Sequence, residues 1–149
     1  MHQLLHIEAD ETLRQTVAAA LAEGPLPFAV TARACVTDDV TTAPPDAILL
    51  GVPAGSDVAA AIEGCRTAFS TVPIVILAEV ADLAFARTAL RAGAHDVVTC
   101  SERALAVLSR IVVYAIDRSI SETRSRASEQ TAANLARLLD ALLAAPVDA

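Results

Sequence analysis

The sequence predicts an α/β protein: a doubly wound, five-stranded parallel sheet followed by an extended C-terminal helix. Three observations carry this prediction. Five short apolar runs alternate with helical patterns over residues 1–118. One run, Pro73-Ile74-Val75-Ile76-Leu77, is almost continuously apolar, as expected of a strand covered on both faces. From Ala94 to Ala145 neither Gly nor Pro interrupts the chain, far beyond the roughly 15 residues a domain-closing helix needs.

Gln3 to Ile7 reads as the first strand. Asp10 caps a helix running to about Glu23, with Leu13, Val17, Ala20 and Leu21 on one face, and Gly24-Pro25 stops it. Phe28 to Ala32 is the second strand. Cys35 to Thr42 is at best a stunted helix, because Pro44-Pro45 arrives too soon for a full one. Asp46 to Leu50 is the third strand, with Gly51 at its end. A loop with Pro53 and Gly55 leads to a helix from Asp57 to Phe69, whose Val58, Ile62 and Cys65 face inward. The fourth strand, Pro73 to Leu77, precedes a helix from Asp82 to Ala92 that Gly93 ends. His95 to Thr99 is the fifth strand, and Ser101 or Glu102 opens the last helix.

Composition narrows the function classes. The chain has 149 residues, 54% of them hydrophobic, and a net charge of −7. That charge argues against nucleic acid, whose binding needs clustered Lys and Arg to displace counterions. The longest uncharged apolar stretch, Val72 to Ala78, is of strand length; a membrane span needs about 20 residues. No basic region precedes an apolar one at the N-terminus, so a cytoplasmic location is expected. Cys35, Cys65 and Cys100 form no CxxC pair and read as reduced thiols. His6 and His95 stand singly on separate strands and read as structural histidines with satisfied ring nitrogens. No glycine-rich phosphate loop, nucleophile elbow or zinc spacing is present, and neither a metal nor a cofactor is expected.

Four segments together resemble the receiver domain of two-component response regulators. His6 to Arg14 (HIEADETLR) resembles that family's first strand and acidic loop. Pro45 to Gly55 resembles its third strand and phosphorylation loop, Pro73 to Glu79 its fourth strand, and Ala89 to Cys100 (ALRAGAHDVVTC) its fourth helix end and fifth strand. The resemblance covers Met1 to about Arg118 and implies strand order 2-1-3-4-5. In that family a strand-three aspartate accepts a phosphoryl group, two acids after strand one hold Mg²⁺, and a Thr or Ser and a Lys bind the phosphoryl oxygens. The chemistry needs a carboxylate nucleophile, a hard cation and positive charge.

This chain departs from that pattern at nearly every position. The acceptor position matches Gly51, which has no side chain to phosphorylate. The first acidic position matches Ala9, leaving Asp10. The Thr/Ser position matches Ala78, the Lys position Cys100, and the aromatic switch position Val97. Asp10 reads better as a helix cap than as part of a cation site with Glu8. Asp57 and Ser56 likewise read as caps rather than as a displaced acceptor. Ala9, Asp10, Gly51, Ala78 and Cys100 thus outline a degenerate pocket, and the chain reads as a pseudo-receiver rather than an enzyme.

Residues 119–149 are expected to form a helical extension. Ile116, Ile120, Thr123, Ala127, Gln130 and Asn134 roughly follow a heptad, and Leu135, Leu138, Leu139, Leu142 and Leu143 make a strong apolar stripe. Pairing with a second copy is the favoured reading of that stripe. The expected function is therefore a phosphorylation-independent signalling module acting through protein contacts and homodimerisation. The alternative is a small-molecule or redox sensor using an apolar pocket at the edge near Ala9, Gly51, Ala78 and Cys100.

Overall fold

The short apolar runs form the strands, and the sheet they build is that of a doubly wound protein. The computed structural model describes residues 1–36 and 43–144. Its elements in chain order are β1 (His2–Ile7), α1 (Glu11–Glu23), β2 (Phe28–Arg33), β3 (Ala47–Val52), α2 (Val58–Ala68), β4 (Ile74–Ala78), α3 (Leu83–Ala92), β5 (Asp96–Thr99), α4 (Glu102–Ala106) and α5 (Leu108–Ala144). All strand pairs are parallel, in the order β2-β1-β3-β4-β5. Because the strands are parallel their carboxyl ends share one sheet edge, and the winding direction reverses between β1 and β3, the point at which open α/β sheets carry their sites.

Strand alternation sorts the core into two faces. Leu5, Ile7, Ile48, Leu50, Ile74 and Ile76 pack with Val58, Ile62 and Cys65 of α2 and Ala89 of α3. Leu4, Leu49, Val75, Leu77 and Val98 pack with Val17 and Leu21 of α1 and with Leu108, Val112, Ala115 and Ile116 of α5. Every residue of β4 is buried, as its unbroken apolar run requires of a central strand.

The helix starts follow from the caps. Asp10 accepts from the amides of Thr12 and Leu13, Asp57 from Ala60, Asp82 from Phe85 and Ser101 from Ala104. Gly93 ends α3 in the left-handed region at φ 114°, its amide donating back to Leu90.

Two details differ from the sequence reading. β3 runs on through Gly51 and Val52, which pair with Leu77 and Ala78, so Gly51 lies inside the strand rather than beyond it. The last helix is two helices. Val107, at φ −113° and ψ 7°, closes α4 by donating to Ala104 and Leu105, and its carbonyl accepts from Ile111 to start α5. No Gly or Pro marks the break; the offset brings Leu108, Ser109 and Val112 inward. The expected stunted helix from Cys35 to Thr42 lies mostly outside the described residues.

By its internal contacts the chain divides into two units, Met1–Asp117 and Arg118–Ala149. In the second, residues 120–144 are all exposed and helical. Among the described residues no helix is long and apolar enough to cross a membrane.

Candidate functional site

The sheet edge beyond β1, β3, β4 and β5 brings Glu8, Gly51, Ala78 and Cys100 together. Ile7 pairs with Leu50, so one further residue along both strands sets Glu8 beside Gly51, and Glu8 prolongs the strand by donating its amide to the Arg33 carbonyl at 2.9 Å. Gly51 pairs across β4 with Leu77, Ala78 pairs with Thr99, and the Cys100 amide donates to the Ala78 carbonyl at 2.8 Å.

Glu8 dominates this edge. Only 7% of it is exposed, and its carboxylate lies over Gly51. A Cβ on Gly51 would run into Glu8 Oε2, would sit 2.7 Å from its Cδ, and would stand 3.3 Å from the Ile7 carbonyl. Glycine fits here by close approach: the space a side chain would fill is taken by the movable end of a carboxylate from the neighbouring strand. Glu8 Oε1 accepts from the Asp10 amide at 3.1 Å. Arg14, one turn into α1, ties the loop down by donating Nη1 to the Glu8 carbonyl at 2.5 Å and to the Ala9 carbonyl at 3.1 Å.

The other sequence-selected positions play plainer parts. Ala9 and Asp10 are exposed, and the Asp10 carboxylate is occupied in capping α1. Ala78 is buried and Cys100 half-buried. Desolvation, then the negative charges of Glu8 and Glu79, push the Cys100 thiol above its usual range, which disfavours the reactive thiolate. Glu79 Oε2 accepts from the Ala54 amide at 3.4 Å, reaching from the β4 end to the β3 loop. All eleven basic residues of the chain are arginine, so no lysine is available at this edge or elsewhere. Among the described residues no group of three His, Cys, Asp or Glu stands close enough to hold a metal ion.

Sequence reasoning singled out Asp10 and passed over Glu8 as the acid that meets Gly51. The signal was present in the strand pairing: counting one step past Ile7 and Leu50 matches the two residues and puts them on the same face. His6 also differs from expectation. It is fully buried, and neither ring nitrogen has a hydrogen-bond partner. Burial, reinforced by the Arg14 guanidinium, lowers its pKa from 6.5 to about 4, so the ring is neutral at pH 7. His95 is satisfied in the expected way, its Nδ1 accepting from the Ile74 amide at 3.4 Å.

A cavity of about 340 Å³ lies among Leu5, Ile7, Val36, Pro45 and Phe69. None of Ala9, Gly51, Ala78 or Cys100 lines it, so it is separate from the edge that the sequence suggested for an apolar ligand.

No family model and no curated protein matches the chain. Solved structures do. A response regulator from Thermotoga maritima is 20% identical with a TM-score of 0.64, over 78% of this chain and 98% of its own. The receiver domain of the sensor histidine kinase PA1611 from Pseudomonas aeruginosa, solved with magnesium in its active-site cleft, is 23% identical with a TM-score of 0.61, over the same shares of the two chains. A fusion carrying the trimeric coiled-coil segment of yeast Spc42 is 19% identical with a TM-score of 0.66, over 95% of this chain and 96% of its own. The chain has the fold of response-regulator receiver domains.

Proposed function

We propose that this protein is a pseudo-receiver: a non-enzymatic, cytoplasmic signalling module that works without aspartyl phosphorylation, through protein contacts and pairing with a second copy. The observation that carries this reading is the Glu8 carboxylate lying over Gly51. The position matching the family's phospho-acceptor has no nucleophile, and the volume a nucleophile would use is filled. Ala78 and Cys100 in place of the hydroxyl and the lysine remove the groups that would neutralise a transferred phosphoryl, and Ala9 removes one cation ligand. Ala9, Asp10, Gly51, Ala78 and Cys100 are, in this reading, the remains of a phosphorylation site. Output then passes through surfaces: the face formed by 82–92 and 102–118, which receivers commonly use to associate, and the leucine stripe of the extension. Neither nucleic acid nor a cofactor enters this reading.

The test is a titration of the full chain with Mg²⁺ and beryllofluoride, followed residue by residue by NMR. The expected result is no chemical-shift change at Gly51, Ala78 or Cys100. Saturable shifts there would overturn the proposal and restore an active phosphoryl-transfer site.

A further inference from the structure

The helical extension presents Ile120, Leu135, Leu138, Leu139, Leu142 and Leu143 at 46–85% exposure. We propose that it pairs in parallel and in register with a second copy of the chain, along a seam through Ile120, Ala127, Thr131, Leu135, Leu138 and Leu142 on an eleven-residue spacing, in which Arg124 takes the position that Leu135 fills one repeat later and turns its charge to the rim. This rests on the pairing reading above and adds to it the direction and the register.

The register follows from spacing. Ile120, Thr131 and Leu142 stand eleven apart, as do Ala127 and Leu138. A seam of that period advances at about 3.67 residues per turn, close to a straight helix and opposite in hand to a heptad supercoil. A strict heptad carried past Ala127 would instead bring Gln130 and Asn134 into the seam. Those two amides bond each other along one helix, Gln130 Nε2 donating to Asn134 Oδ1 at 3.0 Å, a bond that the eleven-residue seam leaves intact at its side.

The direction follows from the uneven distribution of apolar bulk. Five leucines fall within residues 135–143, while the preceding stretch offers Thr123, Ala127 and Thr131 among charges. In a parallel pair the leucine block meets its own copy, and Leu139 and Leu143 widen that contact from beside the seam. A full-length antiparallel overlap would set the same block against Glu122, Arg124 and Arg126, leaving apolar surface against charge.

Cysteine cross-linking of the full chain tests both points in a Cys35→Ser background. The two remaining thiols are poor competitors, since burial pushes Cys65 up to about 11 and raises Cys100 as well. A disulfide forms only where two Cα atoms come within about 7 Å. Ala127→Cys and Leu138→Cys lie about 16 Å apart along the helix, and an antiparallel pair can bring only one such position against its own copy. The expected result is self-linking of both variants and loss of the linked species for Asn134→Cys. Linking at only one of the first two overturns the parallel direction. Linking at Asn134 in preference to Thr131→Cys overturns the register. A mass of one chain by light scattering overturns the pairing reading itself, and a mass of three chains overturns a single second copy as the partner.

Discussion

At the scale of single residues, two buried polar side chains mark the β1 strand. Glu8 and Gly51 behave as one unit: a side chain at 51 requires the carboxylate to leave. Gly51→Ala is expected to cost about 1 kcal/mol, since the far end of a flexible side chain must move and give up its bond to the Asp10 amide. Gly51→Asp adds like-charge repulsion and is expected to cost about 2 kcal/mol. In a Glu8→Ala background both penalties should largely vanish, a coupling of about 1–2 kcal/mol in a double-mutant cycle followed by denaturant unfolding. Additive effects would show that the carboxylate does not hold that space. His6 makes stability depend on pH in a defined window. The unfolded ring protonates at 6.5 and the native one at about 4. Stability is therefore complete above pH 6.5, falls as pH drops through the interval, and by pH 4 has lost on the order of 3 kcal/mol from this group. His6→Leu should flatten that part of the profile and raise stability at pH 7 by about 1 kcal/mol, because two buried nitrogens without partners are removed. Parallel pH profiles for the two proteins would count against this. Neither feature was legible in composition. His6 sits in an apolar run whose neighbours gave no hint that its nitrogens would go unbonded, and Glu8 was hidden by the nearer, exposed Asp10.

At the scale of elements, the boundaries that the sequence showed well are those set by backbone chemistry. Asp10, Asp57, Asp82 and Ser101 start helices because a short side-chain oxygen reaches the free amides, and Gly93 stops one because its backbone takes a positive φ. Gly93 is also covered by Arg66, whose Cζ lies 2.6 Å from where a Cβ would stand and whose Nη1 donates to the Ala92 carbonyl at 3.4 Å. Gly93→Ala is expected to cost about 1–2 kcal/mol, from backbone strain with a smaller part from moving Arg66. The unfolding midpoint should fall at unchanged denaturant slope. An unchanged midpoint would place the constraint elsewhere. The break at Val107 was not legible, because it answers a tertiary demand: Leu108 and Val112 must meet the sheet, and no residue in the helix itself asks for a stop.

At the scale of the whole molecule, strand count and the long last helix were readable, since hydrophobic period and length report directly on layers, while strand order came from the resemblance to receiver domains. What the extension does was not readable in the same way, because an exposed leucine stripe is explained only by whatever covers it. The pairing reading makes a measurable demand. Leu138→Glu with Leu142→Glu in the full chain should reduce the solution mass from two chains to one. The melting of residues 1–117 should be unaffected, since both leucines lie outside that unit. An unchanged mass would remove the stripe from the interface.

The carboxylate over Gly51 also bears on history. One base change in a glycine codon can supply an aspartate, so a lost acceptor would ordinarily lie a single mutation from return. Here an aspartate arriving at 51 meets the Glu8 carboxylate first, and sits without penalty only if the other strand changes as well. In the pseudo-receiver reading proposed above, Glu8 thus makes regaining an acceptor costlier than a single substitution would suggest.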